Sequence, residues 1–498
     1  MLAVFCVPGY AGQYTIFKGD GSDEPGFVPP PRKMRLPPPP ARSVSSAETT
    51  IPFPPPPVAP VARTEAKKPP KPPVMFTKIK TGHLLDWCAT PNDVNNLLKS
   101  MKGMMNINYT MEVKSLAEID PTPQNNPIIY RSGHYHFSFT PEERAKLRKF
   151  MLDGGMMVLN TGLGSSPFYV SAKRELAKIF PEVHIQRLSS DHPIFHAYYD
   201  VDRVKYRQAV RKTGFRGNEP WFDGITIGCR TVAVVSRWGL AVGWEQNEDE
   251  SYQAYSSADA QKLGMNLFAY ATAQRAWAKQ TVKKMKFVDA RNEHSADKMY
   301  MAQVVYDGEW KTRHAGLSVL LRSFNLKTKI PVKYALKEIR LDDKRLFDMP
   351  LLYITGHENF LLHKNEAAQL RKYLLNGGCL FAEACCGRKG FDLAFRAQMQ
   401  KLLPEHPLKP IPAGHSLFDM PNRVAQLGVT PALAAQAGSA AVKPVLLGVE
   451  IDNHYAVIYS PFGMAGGWEM SQNPYAHGYD ESGSVILGQN ILMYAITQ

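Results

Sequence analysis

Pro127-Ile128-Ile129-Tyr130-Arg131-Ser132-Gly133-His134-Tyr135-His136-Phe137 returns later in the chain as Pro350-Leu351-Leu352-Tyr353-Ile354-Thr355-Gly356-His357-Glu358-Asn359-Phe360. The correspondence extends without a gap from Pro127–Phe195 onto Pro350–Phe418. Glu143 falls on Glu366, Gly154-Gly155 on Gly377-Gly378, Gly164 on Gly387 and His192 on His415. One residue is then gained, and Gly243-Trp244-Glu245 falls on Gly467-Trp468-Glu469. So long a period exceeds any solenoid unit, so the repeat is of whole domains. They are placed at 75–276 and 298–498, with a charged linker over 277–297.

The same stretch decides the fold. Pro127–Tyr130 and Pro350–Ile354 are short apolar runs of the kind that form buried parallel strands. Thr140-Pro141-Glu142-Glu143 is a capping box with proline at the first helical position. Leu147, Phe150 and Met151 then give the helix its apolar stripe, and Gly154-Gly155 ends it. A second strand follows in each copy, at Met156–Asn160 and Cys379–Ala384, then a loop and another helix. Alternation over Ala233–Trp244 and Ala456–Trp468 predicts antiparallel strands. Closing helices are expected over 257–276 and 482–497. The pattern is α/β: two tandem three-layer domains with mostly parallel sheets. Ligand sites in such sheets form beyond the carboxyl ends of the strands, which puts His134 and His357 on the functional edge.

A formal net charge of +14 over 498 residues favours anionic surroundings. The sequence carries no zinc-finger spacing, basic heptads or RNA-recognition aromatics, so specific nucleic-acid binding is not expected. The expected partner is an unknown ligand, such as an anionic envelope polymer or a protein. Six cysteines in so long a chain do not make a disulfide scaffold. No apolar run reaches transmembrane length. Residues 1–11 read as the remnant of a signal peptide, ending in the small-x-small pattern Gly9-Tyr10-Ala11. Of 39 prolines, 19 precede Val74, so residues 12–74 read as a disordered proline-rich spacer.

The run Leu351-Leu352-Tyr353-Ile354-Thr355-Gly356-His357, the Glu366 helix with Leu370-Arg371, and Asn376-Gly377-Gly378 resemble the domain-of-unknown-function 4159 family. Phe391, Phe395, Leu403-Pro404 and His415 extend the resemblance, and both copies carry it. That family looks like a branch of the class I glutamine amidotransferase-like superfamily, which implies a flavodoxin-like fold. Its members are often exported or envelope proteins of bacteria, and the family carries no established reaction.

The superfamily's enzymes place a cysteine at a strand-to-helix elbow, with glycine two residues either side. The corresponding place here is Glu383-Ala384-Cys385-Cys386-Gly387, where Glu383 replaces the first glycine. The resemblance implies Cys385 as nucleophile, His357 or His415 as base, and Glu358 or Glu383 orienting it. Copy one has Asn160-Thr161-Gly162-Leu163-Gly164 there and cannot do thiol chemistry. Set against this is packing: Cys379, Cys385 and Cys386 as small apolar residues at a strand end. His134 and His192 are binding candidates, with histidines that tie down loop backbone as the plainer reading. Trp244-Glu245 and Trp468-Glu469 would line a groove, or pack at a sheet edge. His134-Tyr135-His136 with His192 would gather a metal, but Asn359 breaks the pattern in copy two, so no metal or cofactor is expected. The leading expectation is a noncatalytic binding or scaffolding module of the cell envelope. The alternative is a cysteine-dependent amide hydrolase or amidotransferase working in copy two only.

Overall fold

The computed structural model describes residues 74–80, 84–105, 109–119, 126–284, 299–313, 315–470 and 472–498. The expected signal remnant, and the expected proline-rich arm up to residue 73, lie outside the described residues.

Copy one is a seven-stranded sheet of β1 (Val74–Ile79), β2 (Tyr109–Lys114), β3 (Ile128–Gly133), β4 (Met156–Thr161), β5 (Gln186–Arg187), β6 (Phe222–Ile227) and β7 (Arg230–Ser236). Its order is β2-β1-β3-β4-β7-β6-β5. The first five strands of that order run parallel, and β6 and β5 add antiparallel pairs. Copy two has β8 (Ala302–Val305), β9 (Lys337–Arg340), β10 (Leu351–Gly356), β11 (Cys379–Ala384) and β12 (Lys409–Pro410). After a small two-stranded sheet of β13 (Leu427–Gly428) and β14 (Ala441–Val442), it adds β15 (Leu447–Ile451) and β16 (His454–Ser460). Read from its other end, its order is β9-β8-β10-β11-β16-β15-β12, the same topology strand for strand. The duplication is therefore structural as well as sequential. An order beginning 2-1-3-4 is the flavodoxin-like one, with its switch point between the first and third strands.

Both faces of each sheet are covered, which is why the central strands are apolar without interruption. Tyr130, Val158 and Val234 belong to the core on one face of the first sheet, and Ile129, Leu159 and Val235 to the core on the other. In the second sheet Leu352, Ile354 and Ala382 face one core, and Leu351, Tyr353 and Phe381 the other. The helix Pro141–Leu152 starts as expected, with Thr140 Oγ accepting from the Glu143 N–H at 3.2 Å and Glu143 accepting from the Thr140 N–H at 2.8 Å. Positive φ at Gly154 and Gly377 ends this helix and its counterpart Lys364–Leu375.

Two expectations need correction. The alternating run after Ala233 is not one strand, because β7 ends at Ser236 and Ala241–Trp244 forms a single helical turn. A similar turn forms at Ala465–Trp468. β7 itself is interior, parallel to β4 and antiparallel only to β6. The closing helix of copy one also continues past residue 276 to Lys284, taking in the start of the expected linker.

Candidate functional site

In copy two the switch point lies between β8 and β10, which pair in parallel. Glu309 follows β8 and His357 follows β10, so the crevice there starts with a carboxylate and an imidazole. His357 Nδ1 is 2.9 Å from Glu309 Oε2. β11, the neighbour of β10, ends in a 3-10 turn, Cys385–Gly387, whose thiols face that imidazole. The fourth participant comes from copy one. The turn between β6 and β7, with Gly228 at φ 61°, carries Cys229 into the crevice. Cys229 Sγ is 3.2 Å from His357 Nε2 and 3.4 Å from Cys385 Sγ, which in turn lies 4.0 Å from Cys386 Sγ.

All four residues are buried, and their ligand atoms lie within 4.8 Å of one another. Charged groups from both copies surround them. Arg388 donates to Glu358 at 2.6 Å and to Ser189 Oγ at 3.0 Å, and its Nε is 3.4 Å from Asp191. Arg313 pairs with Glu469 at 3.3 Å. Asn473 Nδ2 donates to the Cys229 carbonyl at 2.5 Å and holds the inserted turn. The remaining cavity, about 20 Å³, is lined by His192, Tyr270, Tyr475 and members of the cluster. That is room for about one water.

Burial pushes the Cys229 thiol well up, and hydrogen bonds from Cys229 and Cys385 bring Cys386 well down. Burial works to lower the His357 imidazole, but the charge of Cys385 and the hydrogen bonds from the thiols and Glu309 outweigh it and carry it well up.

The elbow is strained at Cys386 (φ 56°), not at Cys385. Leu163 holds the same conformation in copy one (φ 52°), so the strain belongs to the duplicated turn and is not a device for thiol chemistry. Glu383 does not orient His357. It is fully buried and accepts from the backbone N–H groups of Met464 and Ala465 and from the Tyr353 hydroxyl, with burial pushing its carboxyl up to about 7. Glu358 is likewise occupied by Arg388. His415 stands apart: its Nδ1 accepts from the Leu417 N–H, and its ring lies against Tyr455 and Tyr494. His192 does the same for the Ile194 N–H and also pairs with Thr231 at 2.8 Å.

Trp244 and Trp468 are buried, and each donates its indole N–H at 2.8 Å to a carbonyl of its own copy's closing helix, Ala260 and Ser484 respectively. Glu245 accepts from the Asn92 N–H, and Glu469 from the Ala315 and Gly316 N–H groups, where the next helix begins. His134 in copy one sits 3.9 Å from Asp86 and faces Gly162, where copy two has Cys385. Burial lowers its pKa.

Sequence reasoning missed Cys229, Glu309, Arg313 and Arg388. The carboxylate was findable, because Asp86-Trp87 and Glu309-Trp310 occupy corresponding positions before corresponding tryptophans. Cys229 carried no such signal, since its counterpart in copy two is Asn453.

With that geometry described, a family match decides the affiliation. The sequence model of "Domain of unknown function (DUF4159)" matches residues 75–272 and again residues 300–496. The chain belongs to the DUF4159 family. The two matched segments are the two sheets described above, so each copy of the DUF4159 domain is one α/β unit. No curated protein matches the chain. Among solved structures, one assigned as a phosphosugar isomerase, from Silicibacter pomeroyi DSS-3, is 10% identical with a TM-score of 0.15. The alignment covers 67% of this chain and 87% of that one. So slight a likeness carries no argument.

Proposed function

We propose that this tandem DUF4159 protein is a noncatalytic binding or scaffolding module of the bacterial cell envelope. We take its sheet as a branch of the class I glutamine amidotransferase-like superfamily in which the catalytic crevice has been closed. One observation carries the reading: the crevice of copy two is filled by the turn of copy one that brings in Cys229. Cys385 is 1% exposed, and the space beside the cluster holds about one water, whereas an amide substrate needs an open approach to the sulfur. The corresponding turn of copy two, Asp452-Asn453, is exposed. Copy one's own edge, at His134 and the exposed Tyr135, is thus the one left to meet a ligand. The net charge of +14 favours an anionic envelope polymer there.

Thiol reactivity tests this. Iodoacetamide at neutral pH should modify Cys385 and Cys386 of the native full chain roughly tenfold or more slower than a free thiol, with equal rates after unfolding. Labelling faster than a free thiol, abolished in Cys385→Ala, would establish the amide hydrolase reading instead. Co-sedimentation with isolated cell-wall polymer should be seen at low salt and weaken as salt is raised.

A further inference from the structure

We propose that Cys229, His357, Cys385 and Cys386 form a tetrahedral zinc site that staples copy one to copy two. The proposal stands on side-chain geometry and does not depend on what the protein binds elsewhere. Zinc bonds of ~2.3 Å to sulfur and ~2.0 Å to nitrogen, at tetrahedral angles, require S···S edges of ~3.8 Å and N···S edges of ~3.5 Å. The observed sulfur edges of 3.4 and 4.0 Å and the nitrogen edge of 3.2 Å lie close to those lengths. No ligand atom is more than 4.8 Å from another. Only small side-chain adjustments separate this arrangement from a closed Cys₃His centre.

The outer groups also suit a metal. His357 turns Nε2 toward the sulfurs and Nδ1 toward Glu309, 2.9 Å away. A carboxylate taking the far N–H of a ligating imidazole fixes its tautomer and raises its basicity. Three thiolates and a divalent ion leave one net negative charge, and two buried guanidinium groups stand beside the cluster, Arg313 shared with Glu469 and Arg388 with Glu358 and Asp191. Thiols that merely pack do so among apolar side chains. Here, among the described residues, the apolar cluster containing these three has only Ala476 besides, and the wall beyond is Glu309, Arg388 and Asn473. Soft thiolates with one imidazole at tetrahedral edges select zinc over the oxygen-seeking cations. Four protein ligands leave no position for substrate, so the ion is structural.

The consequence is architectural. Cys229 belongs to the β6–β7 turn of the first DUF4159 domain, and the other three ligands belong to the second. Zinc would make the two domains one unit, held by a bond set that neither domain contains alone.

The test is metal analysis of the full chain, purified reduced and without chelator. About one zinc per chain is expected, and chelator-stripped protein should take back the same amount. Cys229→Ser and His357→Ala should each lower zinc to below about one-tenth per chain, while Cys88→Ser and Cys379→Ser keep it. Because ligand variants can fail to fold, the wild-type protein is also titrated with an organomercurial. Zinc release should then track modification of three thiols. Less than about one-tenth zinc after reconstitution would overturn the proposal. So would a Cys229–Cys385 disulfide in the purified reduced chain, or full zinc in folded Cys229→Ser.

Discussion

The same edge of the same fold is built twice in this chain, with different contents. At the end of the third strand in order, copy one sets His134 beside Asp86, and copy two sets His357 beside Glu309. Past the next strand, copy one turns through Gly162-Leu163-Gly164 and copy two through Cys385-Cys386-Gly387, with positive φ at the second and third residue of each. The backbone, its strain and the histidine–carboxylate pair are therefore shared. What differs is two thiols on the turn and a third delivered from the other copy. The unusual backbone is an inheritance of the duplication, and any chemistry specific to copy two resides in side chains alone.

The largest effect expected from attacking this difference is at Arg388, which is buried, pairs with the half-buried Glu358 and Asp191, and bridges the copies. Arg388→Ala removes the cation shared by Glu358 and Asp191 and should cost about 3–5 kcal/mol in urea denaturation, whereas the counterpart Ser165→Ala in copy one should cost under about 1.5 kcal/mol. Equal costs would mean that the bridge contributes nothing of its own.

Next comes the buried acceptor behind each turn. Glu383 receives the Met464 and Ala465 N–H groups, and Asn160 receives the Leu240 N–H at 2.8 Å in copy one. Glu383→Ala should cost roughly 2–4 kcal/mol, and Glu383→Gln, which restores an amide carbonyl, under about 1.5 kcal/mol. If the two cost the same, the amide and carboxylate are not doing equivalent work in the two copies.

Asp191 links the bridge to pH. Burial alone would raise its carboxyl, but Arg388, Ser189 and the Lys389 N–H outweigh that and hold it below its ordinary value. A pKa depressed in the folded state gives stability that is present above the unfolded value and lost as pH falls through the folded one. Native stability should therefore fall below about pH 4, and Asp191→Asn should make that fall shallower. An unchanged acid limb would remove Asp191 from the account.

The smallest effect tests whether two cysteines on the turn are enough. Gly162→Cys with Leu163→Cys copies the second elbow into the first, beside His134. Among the described residues no turn delivers a third thiol there, since Asp452-Asn453 is exposed, so zinc content should stay at about one per chain. A second zinc would show that the inserted turn is dispensable.

Much of the fold was legible because duplication supplied its own control. A capping box at Thr140, paired glycines at both helix ends and apolar strand runs in both copies agree with one another, and the sheet follows from them. The short helix at Ala241–Trp244 was not legible, because a buried turn of four apolar residues is too short to show a helical period and reads as a continued strand. At the site, His357 and Cys385 could be placed, since each follows a strand end. Glu309 was reachable through the repeat, where it falls on Asp86 before the shared tryptophan. Cys229 was not, because it lies on a hairpin turn of the other domain, and contacts between domains leave no periodicity in sequence. His415 and Glu383 were drawn toward catalysis by residue type, whereas each is occupied in satisfying backbone N–H groups.

The central claim is that one centre is assembled from both DUF4159 domains. X-ray absorption at the zinc edge of the full-length protein tests it most directly. A first shell of three sulfurs and one imidazole nitrogen is the predicted result, and a shell of two or fewer sulfurs, completed by oxygen, would contradict it.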